Sequence, residues 1–598
     1  LRTVDSRTVL ARWRERVAAD GDLDLPATRA VARLSGASHA IRGAGGSNGP
    51  QARLSATIRE VDGGKTLEQV AVDGPADSLI GLVDQLSALI VPVLLGEGAA
   101  ATTGFDIRRL TTGSFAALKS YLEGEALYRN GDFEAATAAY HRAVEADSSF
   151  ALAQYRLVAA SGWTQEGAGP EAAQTYERLT MMADRIPARE RLLVRASEAV
   201  SRGDAHLVDS LRQAVILRPD DAEAWYMLGE TYYHMPLQAL AGFEVVREAL
   251  NRAVELDPHA LPYWIHLLDV AFLDRPDSAH SMVLIERFER VGGREIAERY
   301  RRAHRLVFGD SLTWEAERPW FETASTRDVF RIFGILGHPN AWPARERLMR
   351  WYVDRIPTDQ EPNVVMALAS SAFEQRGRLG QAVRLVDSLP GPTSWLESDR
   401  ACLLLQMQRE TGAVPEEVLR PHAYPEPVEA TGGLALYCGY LLAALGGRHD
   451  HAQRLRSSIV TAAAAARAEG NTSGAAPDTA DLRLLDHLAN RYSGRPQPMT
   501  DSISPRGVPP PRFFRRLVGE LLLGADRPRD AIPWLLATRN DPLAHLYLGK
   551  AYEALNQPAE ARDAYEYFLT WWDEADPEAA RPVDEARAGL ERIATRLN

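Results

Sequence analysis

Within WYMLGETYY, beginning at Trp225, a glycine occupies an apolar helical stripe: Leu228, Gly229 and Tyr232 lie three, four and seven residues after Trp225. That spacing marks one helix face, yet a glycine inside a helix costs about 1 kcal/mol relative to alanine. It persists where a second helix must approach more closely than a side chain permits. The arrangement recurs. Gly124, Gly519 and Gly549 each have an alanine twelve residues on (Ala136, Ala531, Ala561) and a large residue sixteen on (Tyr140, Leu535, Tyr565). After Gly229 the second half arrives about five residues late, with Ala249, Ala253 and Pro258 downstream. Small residues at fixed offsets between large ones restrict the chain to helix pairs. A single pair cannot bury its own apolar stripe, so neighbouring pairs must stack.

Clear copies of the pattern cover about 117–150, 222–258, 509–541 and 542–575, and 150–186, 188–220, 260–291 and 364–390 read as degenerate copies. PVDEARAGLERIATRL reads as a terminal capping helix, with Asp584, Glu585, Arg587, Glu591 and Arg592 solvating its outer face. The opening of the chain differs. SRTVLARWRERVAA and ATRAVARLSG read as helices, and SHAIRG, QARLSATIREVD and TLEQVAVDG as strands. In the middle strand Ala52, Leu54, Ala56 and Ile58 alternate with polar residues, the period of a half-buried strand. Asp62 to Gly64 signals a hairpin turn, and DSLIGLVDQLSALIVPVLL returns to helix. The expected organisation is an α+β unit over 1–98, repeats over 112–308, degenerate helical repeats over 309–500, and C-terminal repeats with their cap over 509–598. Two polar breaks, Ala466 to Asp481 and the proline-rich SGRPQPMTDSISPRGVPPP, interrupt the helices.

WYMLGETY resembles the first helix of the tetratricopeptide repeat, W-x2-L-G-x2-Y, at every marked position. The resemblance implies a mainly α fold, a right-handed α-solenoid of tetratricopeptide-like helix pairs, here preceded by the small α+β unit. The order of that unit followed by TTGSFAALKSYLEGEALYRNGDFEAATAAYHRAVEADSSFALAQYRL resembles the carboxy-terminal part of certain bacterial serine/threonine protein kinases and related signalling proteins. In those a TolB-like (FlgO-like) domain precedes the repeats. Ser35-Gly36-Ala37 and Gly43 stand where that domain carries its LGA and following glycine. The opening strands of the TolB-like domain and all kinase motifs are missing from the sequence. Leu1 then reads as a cut end; a kinase domain and membrane helix upstream would place the chain outside the cytoplasmic membrane, and a DNA-binding domain, as in transcription regulators of similar layout, would place it inside. An extracytoplasmic location follows as an expectation, a cytoplasmic one being the alternative.

Composition narrows the function. The chain has 598 residues and a net charge of −13, which argues against a general binder of nucleic acid or membrane surface. No apolar run reaches the roughly 18 residues of a membrane span. GAGGSNG, Gly43 to Gly49, lacks phosphate-loop spacing and precedes a strand, so it reads as a flexible hairpin loop. His449, Asp450 and His451 point apart on one helix turn; Asp450 reads as a helix cap rather than a ligand. No nucleophile, metal or acid–base constellation is found, and no enzyme activity, metal or cofactor is expected. Cys402 and Cys438 both lie in apolar helical runs. Two buried thiols is the plain reading; a disulfide between them is allowed but not implied.

Trp225, Leu228, Tyr232, Tyr552 and Tyr565 are expected in the core. The candidate partner-binding residues lie on the concave side of the first helices. By repeat offset these are Leu118, Tyr121, Glu125 and Tyr128, then Glu223, Tyr226, Glu230 and Tyr233, then Leu543, Leu546 and Lys550. They combine aromatic surface with carboxylates, which suits a peptide or protein segment. The expected function is a non-enzymatic protein-interaction scaffold. The alternative is a structural subunit that assembles with its own copies or a larger complex.

Overall fold

The computed structural model describes residues 4, 9, 12, 13, 16, 25–95, 112–164, 171–186, 188–201, 207–310, 312–337, 341–353, 355, 361–389, 396–423, 433–468, 479–495, 512–538 and 541–597. Most of the expected helix over 6–19 and most of both polar breaks lie outside them. The chain divides into two compact units. The first comprises Leu1–Thr231, Val246–Leu268 and Val283–Glu298, and the second Tyr232–Val245, Asp269–Met282 and Arg299–Asn598.

The first unit opens with helix Leu25–Leu34 and an antiparallel sheet, β1 (His39–Asn48), β2 (Gln51–Glu60) and β3 (Thr66–Pro75), in that spatial order. Ala52, Ala56 and Ile58 of β2 are buried, as the alternation predicts. Helix Leu79–Leu95 covers this face, Leu82 packing with Ala52 and Val72. Gly74 makes room for it: a Cβ there would stand 2.6 Å from Leu82 Cδ2. The glycine run is strand rather than loop. Gly43 pairs with Ala56 and Gly45 with Leu54, and the chain reverses only at Gly49–Pro50, with Gly49 at φ +60°. A Cβ at Gly45 would lie 3.1 Å from Leu54 Cδ2, so the missing side chain admits the neighbouring strand's leucine. The DGG turn forms as expected, with Gly64 at φ +68° and the Glu60 N–H donating to the Lys65 carbonyl at 2.9 Å.

From Phe115 the described chain is helical. The pairs are Phe115–Arg129 with Phe133–Ala146, Ala151–Ser161 with Glu171–Met181, Ala188–Ser201 with Val208–Leu217, and Ala222–His234 with Phe243–Leu256. Further on, Pro262–Leu273 pairs with Ser278–Arg290, Arg512–Gly524 with Pro528–Ala537, and Pro542–Ala554 with Pro558–Trp571. Local chemistry sets the starts. The side chains of Ser114, Asp132 and Asp541 each accept a first-turn backbone N–H, satisfying a donor that has no partner inside the helix. Asp450 lies in the first turn of His449–Ala468 rather than at its cap; there its charge still favours the positive helix end.

The recurring glycines sit where helix pairs touch. A Cβ at Gly124 would stand 2.6 Å from the Tyr140 ring, and at Gly519 2.6 Å from Leu535. At Gly549 it would stand 2.5 Å from Tyr565, and at Gly229 2.5 Å from Leu250. The first three contacts fall at the sixteen-residue offset. The fourth is five residues later, and the short helix Pro236–Ala239 lies in the inserted stretch. Gly334 is the contrast: it is helical, yet nothing lies within 4 Å of a Cβ placed on it. Gly334→Ala is therefore expected to raise stability by about 0.5–1 kcal/mol through helix propensity. Gly549→Ala should lower it by about 1–3 kcal/mol through overpacking. Chemical denaturation of the two variants checks both signs.

Leu228, Tyr232 and Tyr565 are buried as expected, whereas Trp225 and Tyr552 are only half-buried. Trp225 and Trp264 each donate their indole N–H to the carbonyl of a proline six residues earlier, Pro219 at 3.1 Å and Pro258 at 2.9 Å.

In the second unit one continuous core holds side chains from Met366 to Ile593. The middle segment therefore packs on the C-terminal repeats. Its helix Glu361–Ser370 ends in a π-turn, Ser371–Gln375, from which the Glu374 carbonyl accepts the Trp572 indole N–H at 3.1 Å. Asp576 N–H donates to the Gly377 carbonyl at 3.1 Å and Asp576 Oδ2 accepts from Gly380 N–H at 2.7 Å. Glu574 pairs with Arg376 and Arg378. Cys402 and Cys438, on helices Leu396–Thr411 and Gly433–Leu445, form a disulfide, which corrects the plain reading of two thiols. These helices pack together and bring the two Cα atoms to 5.0 Å, within disulfide reach. No helix among the described residues is long and apolar enough to cross a membrane.

Candidate protein-interaction site

The first helices of four successive pairs in the first unit turn one face toward a common cluster. Phe115–Arg129 contributes Glu125 and Tyr128, Ala151–Ser161 contributes Arg156, and Ala188–Ser201 contributes Arg189. Ala222–His234 adds Asp221 at its start, then Glu223, Tyr226 and Glu230. Five of the offset-predicted residues thus converge: Glu125, Tyr128, Glu223, Tyr226 and Glu230.

They converge on charge. Arg156 Nε lies 2.7 Å from Glu125 Oε1 and its Nη2 lies 2.7 Å from Glu223 Oε1. Arg189 binds Asp221 through two nitrogens, each at 2.6 Å, and reaches Glu223 Oε2 at 3.2 Å. The Tyr140 hydroxyl donates to Glu125 at 2.8 Å. The Arg156 guanidinium stands 5.3 Å from the Tyr155 ring centre and 6.0 Å from that of Tyr128. Tyr128 and Tyr226 share a hydrogen bond through their hydroxyls, and Tyr226 stacks on Tyr263 at 4.5 Å. His266 Nε2 lies 3.6 Å from Glu230 Oε1. Beside the cluster Arg129 makes a two-point contact with Asp257, at 2.6 and 2.8 Å, and Asp257 is wholly buried.

The cluster is interior rather than open groove. Glu223, Tyr226 and Glu230 are 3%, 5% and 9% exposed, because their own unit supplies the arginines and tyrosines that an outside ligand would otherwise provide. Leu118 and Tyr121 keep partial exposure, although the Tyr121 ring packs 4.9 Å from Phe150. In the second unit Tyr233 is half-buried and donates to Asp269 at 3.2 Å, an oxygen pair that also accepts from Tyr300 at 2.8 Å. Leu543 and Leu546 are core side chains at 0% and 1% exposure, which removes them from any accessible surface. Lys550 stays half-exposed, pairs with Glu585 and stands 4.8 Å from the Tyr547 ring centre. The residues that the sequence reading missed are Arg156, Arg189 and the Arg129–Asp257 pair. One signal was present: an arginine inside the apolar run AQYRLVAA, where a charge needs a buried partner.

Burial shifts the tyrosines. It pushes the Tyr128 hydroxyl up to about 12. Burial together with the Glu230 carboxylate raises Tyr226, burial with Glu125 raises Tyr140, and burial raises Tyr155. A phenol whose folded pKa exceeds its unfolded value contributes stability that is complete below about pH 10 and is lost as the pH climbs through the folded value. The phenolate absorbance should therefore show these tyrosines titrating late and together with alkaline unfolding of the first unit. Phenolates appearing near pH 10 before helix loss would contradict the packing.

The tetratricopeptide repeat family matches residues 121–187 and 208–260. No curated protein sequence is recognisably similar to this one. Among solved structures, the P58(IPK) tetratricopeptide domain shares 12% identity over 80% of this chain and 98% of its own, with a TM-score of 0.17. Naa15/Naa10 bound to HypK-THB shares 12% over 81% of this chain and 74% of its own, with a TM-score of 0.18. The chain is a tetratricopeptide-like helical protein with a small three-stranded domain at its start, and repeats of this kind are protein-interaction scaffolds.

Proposed function

We propose that this chain is the extracytoplasmic interaction region of a bacterial signalling protein, whose repeats hold a segment of a partner polypeptide. One observation carries the scaffold reading. Tetratricopeptide-like helix pairs pack through recurring glycines, and five of the first unit's offset-predicted residues converge on one cluster. The accessible part of that face is its rim, Leu118 and Tyr121, since the rest is engaged internally. A photo-crosslinking residue at Leu118 or Tyr121 in cells should give one discrete protein adduct, and the same residue at exposed Asp209 should not. Identical adduct patterns at all three positions would overturn the rim.

The compartment rests on the Cys402–Cys438 disulfide, which is characteristic of oxidising surroundings. Cells quenched in acid and alkylated without reductant should yield protein with neither cysteine blocked. Removing the bond is expected to cost about 2–4 kcal/mol, since it closes a loop of 36 residues; denaturation with and without reductant measures this. The other reading, assembly with copies of the same chain, is favoured by Ile216 and Leu217, neighbours at 67% and 71% exposure. Sedimentation across concentrations separates the two: a monomer unaffected by Ile216→Glu excludes self-assembly through that site.

A further inference from the structure

The first unit contains a cavity of about 290 Å³ between helices Glu171–Met181 and Ala188–Ser201. Its walls are Leu179, Ile186, Val194 and Leu207, which are 1–6% exposed. The volume lies just below the usual range of ligand pockets, about 300–1,000 Å³. Two arginines, Arg191 and Arg195, lie one turn apart on the same helix and also line it. Arg191 is fixed: its Nη1 donates to the Ala183 carbonyl at 2.9 Å and to the Ile186 carbonyl at 3.0 Å. Those carbonyls belong to Ala183 and Ile186, which also line the pocket, so the guanidinium is oriented before any ligand arrives. Arg195 is exposed and makes no ion pair or hydrogen bond among the described residues. Glu198 lines the cavity too, so the charge of this lining is one positive in excess.

We propose that this cavity binds a small amphiphile with a medium-length aliphatic chain and a single carboxylate. The apolar walls would take the chain, and Arg195, beside the pre-oriented Arg191, would meet the carboxylate. The pairing follows from what each end needs. An aliphatic chain gains by leaving water for Leu179, Val194 and Leu207. A carboxylate cannot follow it into apolar surroundings and must stay with a cation at the mouth. The net positive lining selects the anion over an amine of equal length. The inference rests on the cavity alone and stands apart from the scaffold reading.

Decanoate and decanol titrated into the full chain by calorimetry test it. Saturable 1:1 binding of decanoate is expected, with decanol at least five-fold weaker. Arg195→Gln, on the exposed rim and without consequence for folding, should weaken decanoate about ten-fold and leave decanol unchanged. Val194→Trp, which fills the cavity, should abolish both, with circular dichroism reporting whether the variant folds. Decanoate binding that Arg195→Gln leaves intact overturns the proposal, as does the absence of saturable binding below millimolar concentration. Equal affinity for decanoate and decanol overturns the carboxylate assignment in the same way.

Discussion

Arg516→Leu is expected to destabilise the second unit by about 3–5 kcal/mol, the cost of removing one partner from a buried ion cluster. Arg516 is wholly buried and binds three side chains. Its Nε lies 2.6 Å from Asp541, its Nη1 lies 2.8 Å from Glu410, and its Nη2 donates to Gln406 at 3.0 Å. Leucine leaves Glu410 and Asp541, only 1% and 6% exposed, without that cation. Asp541 also caps helix Pro542–Ala554, so the start of the last full repeat loosens with it. Neighbouring Arg409 pairs with Glu520 at 2.5 Å. Burial alone would raise the Glu520 carboxyl, but the Arg409 and Arg516 charges outweigh it and hold it below the usual range. A depressed carboxylate contributes stability above its unfolded value, about 4.3, and loses it as the pH falls through the folded one. The parent unit should therefore weaken below about pH 4. In Arg516→Leu the loss should begin at higher pH, because one of the charges that lowers Glu520 is gone. Urea titrations at several pH values measure both effects; equal midpoints for parent and variant at neutral pH would sink the argument.

The second large effect belongs to the first unit. Arg156→Met is expected to cost about 3–5 kcal/mol for the same reason, since Glu125 and Glu223 lose their shared guanidinium in a buried setting. The companion triple variant, Arg156→Met with Glu125→Gln and Glu223→Gln, should recover most of the loss. Replacing a whole buried cluster by neutral groups is often near neutral, whereas removing one member is not. Hydrogen exchange in helices Phe115–Arg129 and Ala222–His234 should report the single change and its reversal. A single variant as protected as the parent would mean that the cluster is wet and that the inner face is open after all.

Much of the fold was legible because helix pairing depends on local spacing. Gly124, Gly519 and Gly549 announced their contacts through a residue sixteen positions later, and the five-residue delay after Gly229 reappears as the shift to Leu250. The alternation in β2 identified its buried face. Offsets also identified a common face of the first helices, and Glu125, Tyr128, Glu223, Tyr226 and Glu230 do meet. They could not reveal that Arg156 and Arg189 enter from the two intervening helices, which lack the repeat's marker residues. Glycine composition misled at Gly43–Gly49, where strand pairing outweighs the loop preference of the residue type.

The sequence by itself determined the elements and their nearest neighbours: which segments are helices, where each pair comes close, and which strand face is apolar. These follow from periodicity and from offsets of a few to about twenty residues, over which backbone geometry fixes relative position. Only the tertiary structure decided what lies far apart in the chain and close in space. Cys402 meets Cys438, Glu574 meets Arg376 and Arg378, and Arg516 joins Glu410 to Asp541. It also decided that the inner-face carboxylates of the first unit are neutralised from within. The physical reason is the same in each case: a charge or a thiol carries no local preference for a partner, so its pairing is set by where whole helices come to rest.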